Sequence, residues 1–263
     1  MYPEIHLGPL TLQTFGLMFA LAFLAAGALI GKRLKEIGKP VDWAYEMGFA
    51  ALIGGVIGSR IYFMVQNYDL VKHDLFGNLF SGSGLVWYGG ILGGALGVIL
   101  WAWHRRFLGF ALLDLAAPAL ALGYAIGRIG CQLSGDGDYG KPWNGPWAMS
   151  YPDGTVPTNR TVHPTPIYET LAMGLGAWVL WQLRDRFRPG ILFAIYLIYA
   201  GAERFLVEFI RRNDHVALGL TAAQLESFGI MVIGAAWVYL SRRRYGNLSR
   251  VEAPLAAHLG PAA

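Results

Sequence analysis

The sequence predicts an all-α, polytopic membrane protein of about seven transmembrane helices, with its N-terminus outside and its C-terminus inside. Three observations lead there. Of the 263 residues, 55% are hydrophobic and only 14% charged, whereas a soluble domain carries roughly 25% charged residues; mean hydropathy is +0.41. Seven apolar stretches approach the roughly 20 residues that a helix needs to cross the hydrocarbon core. The basic residues between those stretches alternate between many and few.

The first span falls at about residues 10–31, after a segment with no Lys or Arg, and ends on Lys32, Arg33, Lys35 and Lys39. The second, about 43–65, is followed by Lys72 alone. The third, about 85–103, opens Trp87-Tyr88-Gly89-Gly90 and ends on Arg105 and Arg106. Its Gly89, Gly93 and Gly97 recur every four residues, a small-residue stripe that lets helix backbones approach closely. The fourth, about 112–131, leads into a long loop holding Lys141 and Arg160. The fifth (about 166–183) ends on Arg184, Arg186 and Arg188, and the sixth (about 190–210) on Arg211 and Arg212. The seventh, about 222–241, precedes Arg242, Arg243, Arg244 and Arg250. Alternate segments hold 13 basic residues on one side and five on the other. Basic residues collect in the cytoplasm, which sets the orientation. Residues 1–241 are expected to form one membrane domain, and 242–263 a basic, then disordered, cytoplasmic tail.

Composition narrows the function. The net charge of +4 sits at the membrane edges, so it argues for no nucleic-acid partner. A single cysteine, Cys131, excludes an internal disulfide and a multi-cysteine metal site. No basic n-region precedes the first apolar stretch, so a cleaved signal peptide is not expected.

Three of the 21 basic residues lie inside predicted spans: Arg60, Arg128 and Arg204. Each falls near the outer end of its helix. Taken singly, each is accounted for as a side chain snorkelling to the headgroups. Three on one leaflet point instead to a phosphate, which planar, permanently charged guanidiniums bind bidentately. Glu208 lies four residues after Arg204, on the same helical face, and Arg211 extends that face outward. Glu208 reads equally as a counter-ion to Arg204 and as a catalytic group.

The run from Gly127 to Gly140 passes from a helix end, with Arg128 and Cys131, into a Gly/Asp-rich loop with Ser134, Asp136 and Asp138. Irregular backbone at that depth is tolerated where it is buried in protein or lines a wet cavity. The two aspartates invite a calcium reading, but no bidentate Glu follows at the required distance. No metal or other cofactor is expected. Beyond the loop, His163-Pro164-Thr165-Pro166-Ile167-Tyr168-Glu169 puts Glu169 about one turn inside the next helix.

Together these residues resemble a prolipoprotein diacylglyceryl transferase, from about Thr11 to Gln224. The matching pieces are Phe15-Gly16-Leu17, Gly58-Ser59-Arg60-Ile61, Tyr88-Gly89-Gly90, Gly127-Arg128-x-Gly130, His163-Pro164 with Tyr168-Glu169, Arg204-Phe205-x-Val207-Glu208-Phe209-x-Arg211, and Leu218-Gly219-Leu220-Thr221 with Gln224. The resemblance implies transfer of the diacylglyceryl group of phosphatidylglycerol to a lipobox cysteine of a prelipoprotein signal peptide, with release of glycerol phosphate, in a bacterial inner membrane. It implies catalytic roles for Arg128, Arg204, Glu208 and Tyr88. It also implies substrate contacts from Arg60, Phe15, Gly89, Gly90, Cys131, Ser134, Asp136, Gly140, His163, Glu169 and Arg211. The expected partners are phosphatidylglycerol, prelipoprotein signal peptides and membrane lipids.

The chain departs from the commoner family pattern in five places. Tyr88 stands where His is usual; Cys131, Ser134 and Asp136 stand where Asn, Asn and Glu are usual; and one extra residue precedes Gly140. Tyr88 replaces a base near neutrality by a phenol of reference pKa about 10. Candidate acceptors for the thiol proton are therefore Glu208, Glu169 and Tyr88, while Cys131 reads as a packed cysteine. Two other readings stay open: a silent paralogue that binds lipid or signal peptide, and an anion transporter with the arginines as its selectivity site.

Overall fold

A computed structural model describes residues 1–68 and 86–250. Lys72 and the tail after Arg250, both used above, lie outside the described residues. The chain order is β1 (Glu4–Leu7), β2 (Leu10–Gln13), α1 (Thr14–Glu36), α2 (Trp43–Gln66), α3 (Trp87–His104), α4 (Phe110–Ser134), β3 (Met149–Tyr151), β4 (Thr158–Val162), α5 (Thr165–Leu183), α6 (Ile191–Val207), β5 (His215–Ala217), β6 (Leu220–Thr221) and α7 (Ala222–Tyr245). Among the described residues, α1, α2, α4 and α7 are long and apolar enough to cross a membrane. Large apolar side chains such as Phe49, Ile53, Leu92, Leu96 and Leu100 stand exposed along α2 and α3. Such continuous exposure is unusual on a water-soluble surface, and a bilayer satisfies it.

Among the described residues, the helices are supplemented by three two-stranded antiparallel hairpins, β1–β2, β3–β4 and β5–β6, which the all-α reading did not anticipate. The first corrects the start of the first span. Leu10-Thr11-Leu12-Gln13 alternates apolar and polar, a strand's period, and it pairs with Glu4–Leu7 around Gly8. The last hairpin turns at Leu218 and Gly219, both left-handed, as a two-residue turn with right-handed strand twist requires.

The chain divides into two compact units, Met1–Ala26 with Leu113–Ala263, and Gly27–Leu112. In the second unit α2 and α3 meet along glycine. A Cβ on Gly93 would strike the Gly54 carbonyl oxygen and lie 2.8 Å from the Gly58 Cα; one on Gly97 would strike the Ala50 carbonyl, and one on Gly89 the Gly58 carbonyl. The stripe read on α3 thus has its partner at Ala50, Gly54 and Gly58, also spaced by four. Ser59 Oγ donates to the Val86 carbonyl at 2.7 Å beside this seam. Near the other end of the pair, Glu46 accepts from Trp101 Nε1 at 2.7 Å and from Arg105 Nε at 2.8 Å.

In the first unit Ala117, Ala121 and Ala125 of α4 form a buried small-residue row against Met173, Ala177 and Leu180 of α5 and Leu192 of α6. The helix lies close because each α4 position presents a methyl group. Asp114 of α4 accepts from the backbone N–H of Gly190 (2.7 Å) and Phe193 (2.9 Å), supplying α6 with the acceptor its free N-terminal donors need. On α7 Thr221 and Gln224 form a reciprocal capping box that fixes where the helix starts. Gly201 and Gly234 bring α6 and α7 together: a Cβ on Gly234 would lie 2.8 Å from the Ala194 carbonyl oxygen.

Candidate active site

Arg128 lies two turns before the end of α4, and its side chain is largely buried. Nη2 donates to Tyr124 Oη at 3.0 Å, one turn earlier on the helix. Nη1 donates to Asp138, and Nε pairs with Glu169. A guanidinium this deep must have its charge matched, and two carboxylates from other segments match it.

The loop after α4 delivers Asp138. Gly135 and Gly137 both take positive φ, which glycine adopts without a steric penalty, and fold the chain back over the helix end. Thr165 Oγ1 donates to the Asp138 carbonyl at 2.5 Å. The Lys141 backbone N–H donates to the Ile210 carbonyl at 2.7 Å. Gly140 is confined between these segments, since a Cβ there would lie 2.6 Å from the Ile210 carbonyl oxygen and 2.9 Å from the His163 Cβ. Burial pushes the Asp138 carboxyl up, but the Arg128 and Arg211 guanidiniums outweigh it and hold that carboxyl below the usual range.

Glu169, on the first turns of α5, is completely buried and lies at the centre of the cluster. Besides Arg128 it meets Arg204 Nη1 at 3.5 Å and Arg211 Nη1 at 3.3 Å, and it accepts from Tyr124 Oη at 3.3 Å. Arg204 also lies 2.9 Å from Glu208 through Nη2. Neither contact of Arg204 has hydrogen-bond geometry, and among the described residues its buried Nη1 has no acceptor. Arg211 reaches Asp138 at 2.5 Å and Glu208 at 3.7 Å, while Asn213 Nδ2 donates to Glu208 at 2.5 Å. Three guanidiniums from separate segments are thus tied together by Asp138, Glu169 and Glu208.

Of the residues singled out from sequence, Arg128, Arg204, Glu169, Glu208 and Arg211 come together here. Helix α6 ends at Val207, three residues short of the sequence expectation, so Arg211 lies beyond it. Its guanidinium turns to Asp138 and Glu169 as well as to Glu208. Phe15 of α1 packs on Gly130, whose Cβ would lie 3.1 Å from the Met18 Cβ and 3.5 Å from the Phe15 ring. His163 stacks on Trp143 with ring centres 4.4 Å apart, and its Nδ1 lies 3.4 Å from Tyr168 Oη; burial lowers its pKa. Cys131 and Ser134 are buried at the end of α4, and Ser134 Oγ donates to the Cys131 carbonyl at 3.3 Å. Arg60, Tyr88, Gly89 and Gly90 belong to the other unit: Arg60 is buried with its guanidinium over Phe63, and Tyr88 lies 6.5 Å from Tyr62, ring centre to ring centre.

Two participants escaped the sequence reading: Tyr124, and Asp138 as the carboxylate that meets the arginines. Tyr124 carried a signal, being one turn from Arg128 on the same face. Donor atoms of Cys131, Asp136 and Asp138 lie within 4.8 Å of one another. Asp138 is already matched by two guanidiniums, so this donor set does not call for a metal ion.

The sequence profile described as prolipoprotein diacylglyceryl transferase matches residues 4–240. The chain belongs to this family. It is 34% identical over 230 residues to the phosphatidylglycerol–prolipoprotein diacylglyceryl transferase of Clostridium tetani (strain Massachusetts / E88), covering 86% of this chain and 91% of that one. It is 33% identical over 234 residues to the protein of that name from Leptospira interrogans (serovar copenhageni), covering 78% and 73%. With the Acinetobacter baumannii (strain SDF) protein of the same name it shares 32% over 243 residues, covering 88% of each. Within this transferase family's signature, Asp136 stands where Glu is usual, yet the carboxylate against Arg128 and Arg211 is Asp138. Asp136 instead accepts from the Asp138 backbone N–H at 3.2 Å, and burial raises its pKa.

Proposed function

We propose that this chain transfers the diacylglyceryl group of phosphatidylglycerol to the lipobox cysteine thiol of a prelipoprotein signal peptide, releasing glycerol phosphate. The observation that carries this reading is the convergence of Arg128, Arg204 and Arg211 on shared carboxylates, in a chain whose family members are named for that reaction. The setting is the bacterial cytoplasmic membrane. The chain crosses it seven times, N-terminus outside, and the arginine cluster lies toward the outer leaflet, where a secreted precursor presents its cysteine. Residues 1–241 act as one membrane domain, followed by a cytoplasmic tail.

The thiolate attacks the glycerol carbon that bears the phosphate ester. A C–S bond forms as the C–O bond breaks, and the electron pair leaves on the phosphate oxygen. Negative charge on that phosphate grows through the step, so cations fixed in advance stabilise the transition state more than the ground state. Carboxylates hold the three guanidiniums apart and oriented before lipid arrives. Arg204, with a donor lacking an acceptor, and Arg128 take the phosphate; Arg211 steadies both through Glu169 and Asp138. Arg60, Tyr88, Gly89 and Gly90 are assigned to substrate through the family resemblance alone. Losing one such donor lowers the rate on the order of 10²–10³-fold.

The test is Arg204→Ala, with Arg204→Lys beside it, in cells depleted of their own transferase. Loss of lipidation of a reporter lipoprotein in both variants, with protein levels held, is the expected result. Normal lipidation by Arg204→Ala would remove Arg204 from the reaction. Tyr88 and Cys131 favour a silent lipid-binding paralogue as the second reading; a wild-type protein that retains phosphatidylglycerol without transferring its label would establish that one instead.

A further inference from the structure

The carboxylates of the arginine cluster are already engaged as counter-ions. Glu169 meets three guanidiniums, Asp138 two and Glu208 two. Each of these carboxylates already serves as counter-charge to two or three fixed cations. The incoming thiol, with a reference pKa near 8.5, still needs a base to become the nucleophile.

Glu203 differs from all of them. It is half-buried, and among the described residues it has no ion pair and no hydrogen bond. One position before Arg204, it projects about 100° around α6 from it. Tyr199, one turn earlier on Glu203's own face, donates from Oη to the Ala172 carbonyl of α5 at 2.6 Å, so that face packs on α5. One turn further along, Glu203 comes within electrostatic reach of Glu169, Arg128, Arg204 and Arg211, and of Tyr124. A carboxylate inside a membrane span with no partner of its own is costly and by default functional.

We infer that Glu203 is the group that takes the proton from the substrate thiol, an inference that rests on the transferase reading. The S–H proton passes to a Glu203 oxygen, and the sulfur lone pair forms the C–S bond. The C–O pair departs with the phosphate, which becomes a monoester. Its second pKa is about 6, so it or water carries the proton away and Glu203 returns to the carboxylate. The groups that set the Glu203 titration are Tyr124 and Arg128 on α4, Glu169 on α5, Tyr199 and Arg204 on α6, and Arg211 beyond it.

The experiment is a pH series of kcat and KM for wild type, Glu203→Gln and Glu203→Asp, with labelled phosphatidylglycerol and a lipobox peptide. Glu203→Gln is expected to lower kcat at neutral pH on the order of 10²–10³-fold, with KM for the lipid nearly unchanged, and to abolish the acidic limb of the kcat profile. Its deficit shrinks above about pH 8.5, where the peptide thiol ionises unaided; a merely structural residue would not give that. Glu203→Asp recovers part of the rate. An active wild type beside a Glu203→Gln that keeps its rate and acidic limb, or whose deficit is constant with pH, overturns the assignment alone. A wild type that transfers nothing sinks the transferase reading and this inference with it.

Discussion

Replacing Glu169 by Gln preserves the shape of the side chain and removes its charge. Its two oxygens meet Arg128, Arg204 at 3.5 Å and Arg211 at 3.3 Å, with no solvent exposure. With that charge gone, the three guanidiniums keep Asp138 and Glu208 as their only directly paired counter-charges among the described residues, and one buried guanidinium charge loses its direct partner. Removing one partner from a buried ion pair costs about 3–5 kcal/mol. At about 2–4 °C per kcal/mol for a chain of this size, the thermal midpoint falls by roughly 6–20 °C. The chain supplies its own reporter, because its single cysteine, Cys131, is buried with its sulfur 3.7 Å from Arg128 Nη1. A thiol-reactive fluorophore on the detergent-solubilised protein therefore reads the opening of this part of α4. A Glu169→Gln midpoint within about 2 °C of wild type would refute the idea that Glu169 gathers the arginines.

The glycine seam gives a second test, read by the loss of helical circular dichroism on heating. Gly93→Ala puts a methyl group against the Gly54 carbonyl and costs about 1–3 kcal/mol by overpacking. Gly27→Ala meets nothing within 4 Å and leaves the midpoint level or higher; equal losses in both would contradict the seam. Gly140→Ala forces the loop off Ile210 and His163, and is expected to lower transfer in the reporter assay more than it lowers expression. Asp138 has a depressed folded pKa, so its stabilisation is fully present above the unfolded value of about 3.9 and is lost as pH falls through the folded value. The midpoint deficit of Asp138→Asn should accordingly be greatest at neutral pH and close on acidification. Asp136, raised by burial, has the opposite sign: Asp136→Asn gains stability at pH 7, and the gain vanishes below about pH 3.9.

The helices and most of the charge cluster are legible in the sequence because both rest on local pattern. Long apolar runs mark helices wherever they pack, and Arg204 with Glu208 follows from helical spacing alone. The stripe on α3 was legible, but its partner on α2 was not: a row of glycines says that something packs closely without saying what. Leu10–Gln13 was assigned to a helix because it is apolar, although its alternation already spelled a strand. Helix α7 was expected to stop at the first arginine, yet it runs through Arg242, Arg243 and Arg244 to Tyr245 and its cap Gly246. Charge marks where a bilayer ends, whereas a backbone stops at its capping residue.

Asp138 was illegible for a different reason. Its place depends on two left-handed glycines turning the loop back over α4, and a loop has no period from which to read which of two aspartates points inward. The family pattern favoured Asp136; hydrogen bonds from Thr165 and Lys141 to other segments put Asp138 against the arginines instead. Glu203 is not legible in the sequence because helical spacing ties Arg204 to Glu208 on one face, and only the packing of Tyr199 on α5 reveals the other.

The most direct measurement is transfer itself: purified protein, phosphatidylglycerol labelled in its diacylglyceryl group, and a lipobox peptide with one cysteine. The account predicts label on the peptide as a thioether, one glycerol phosphate released per peptide modified, and loss of both in Arg204→Ala. Release from Arg204→Ala at the wild-type rate, or lipid held by the wild type with no peptide labelled, would contradict it.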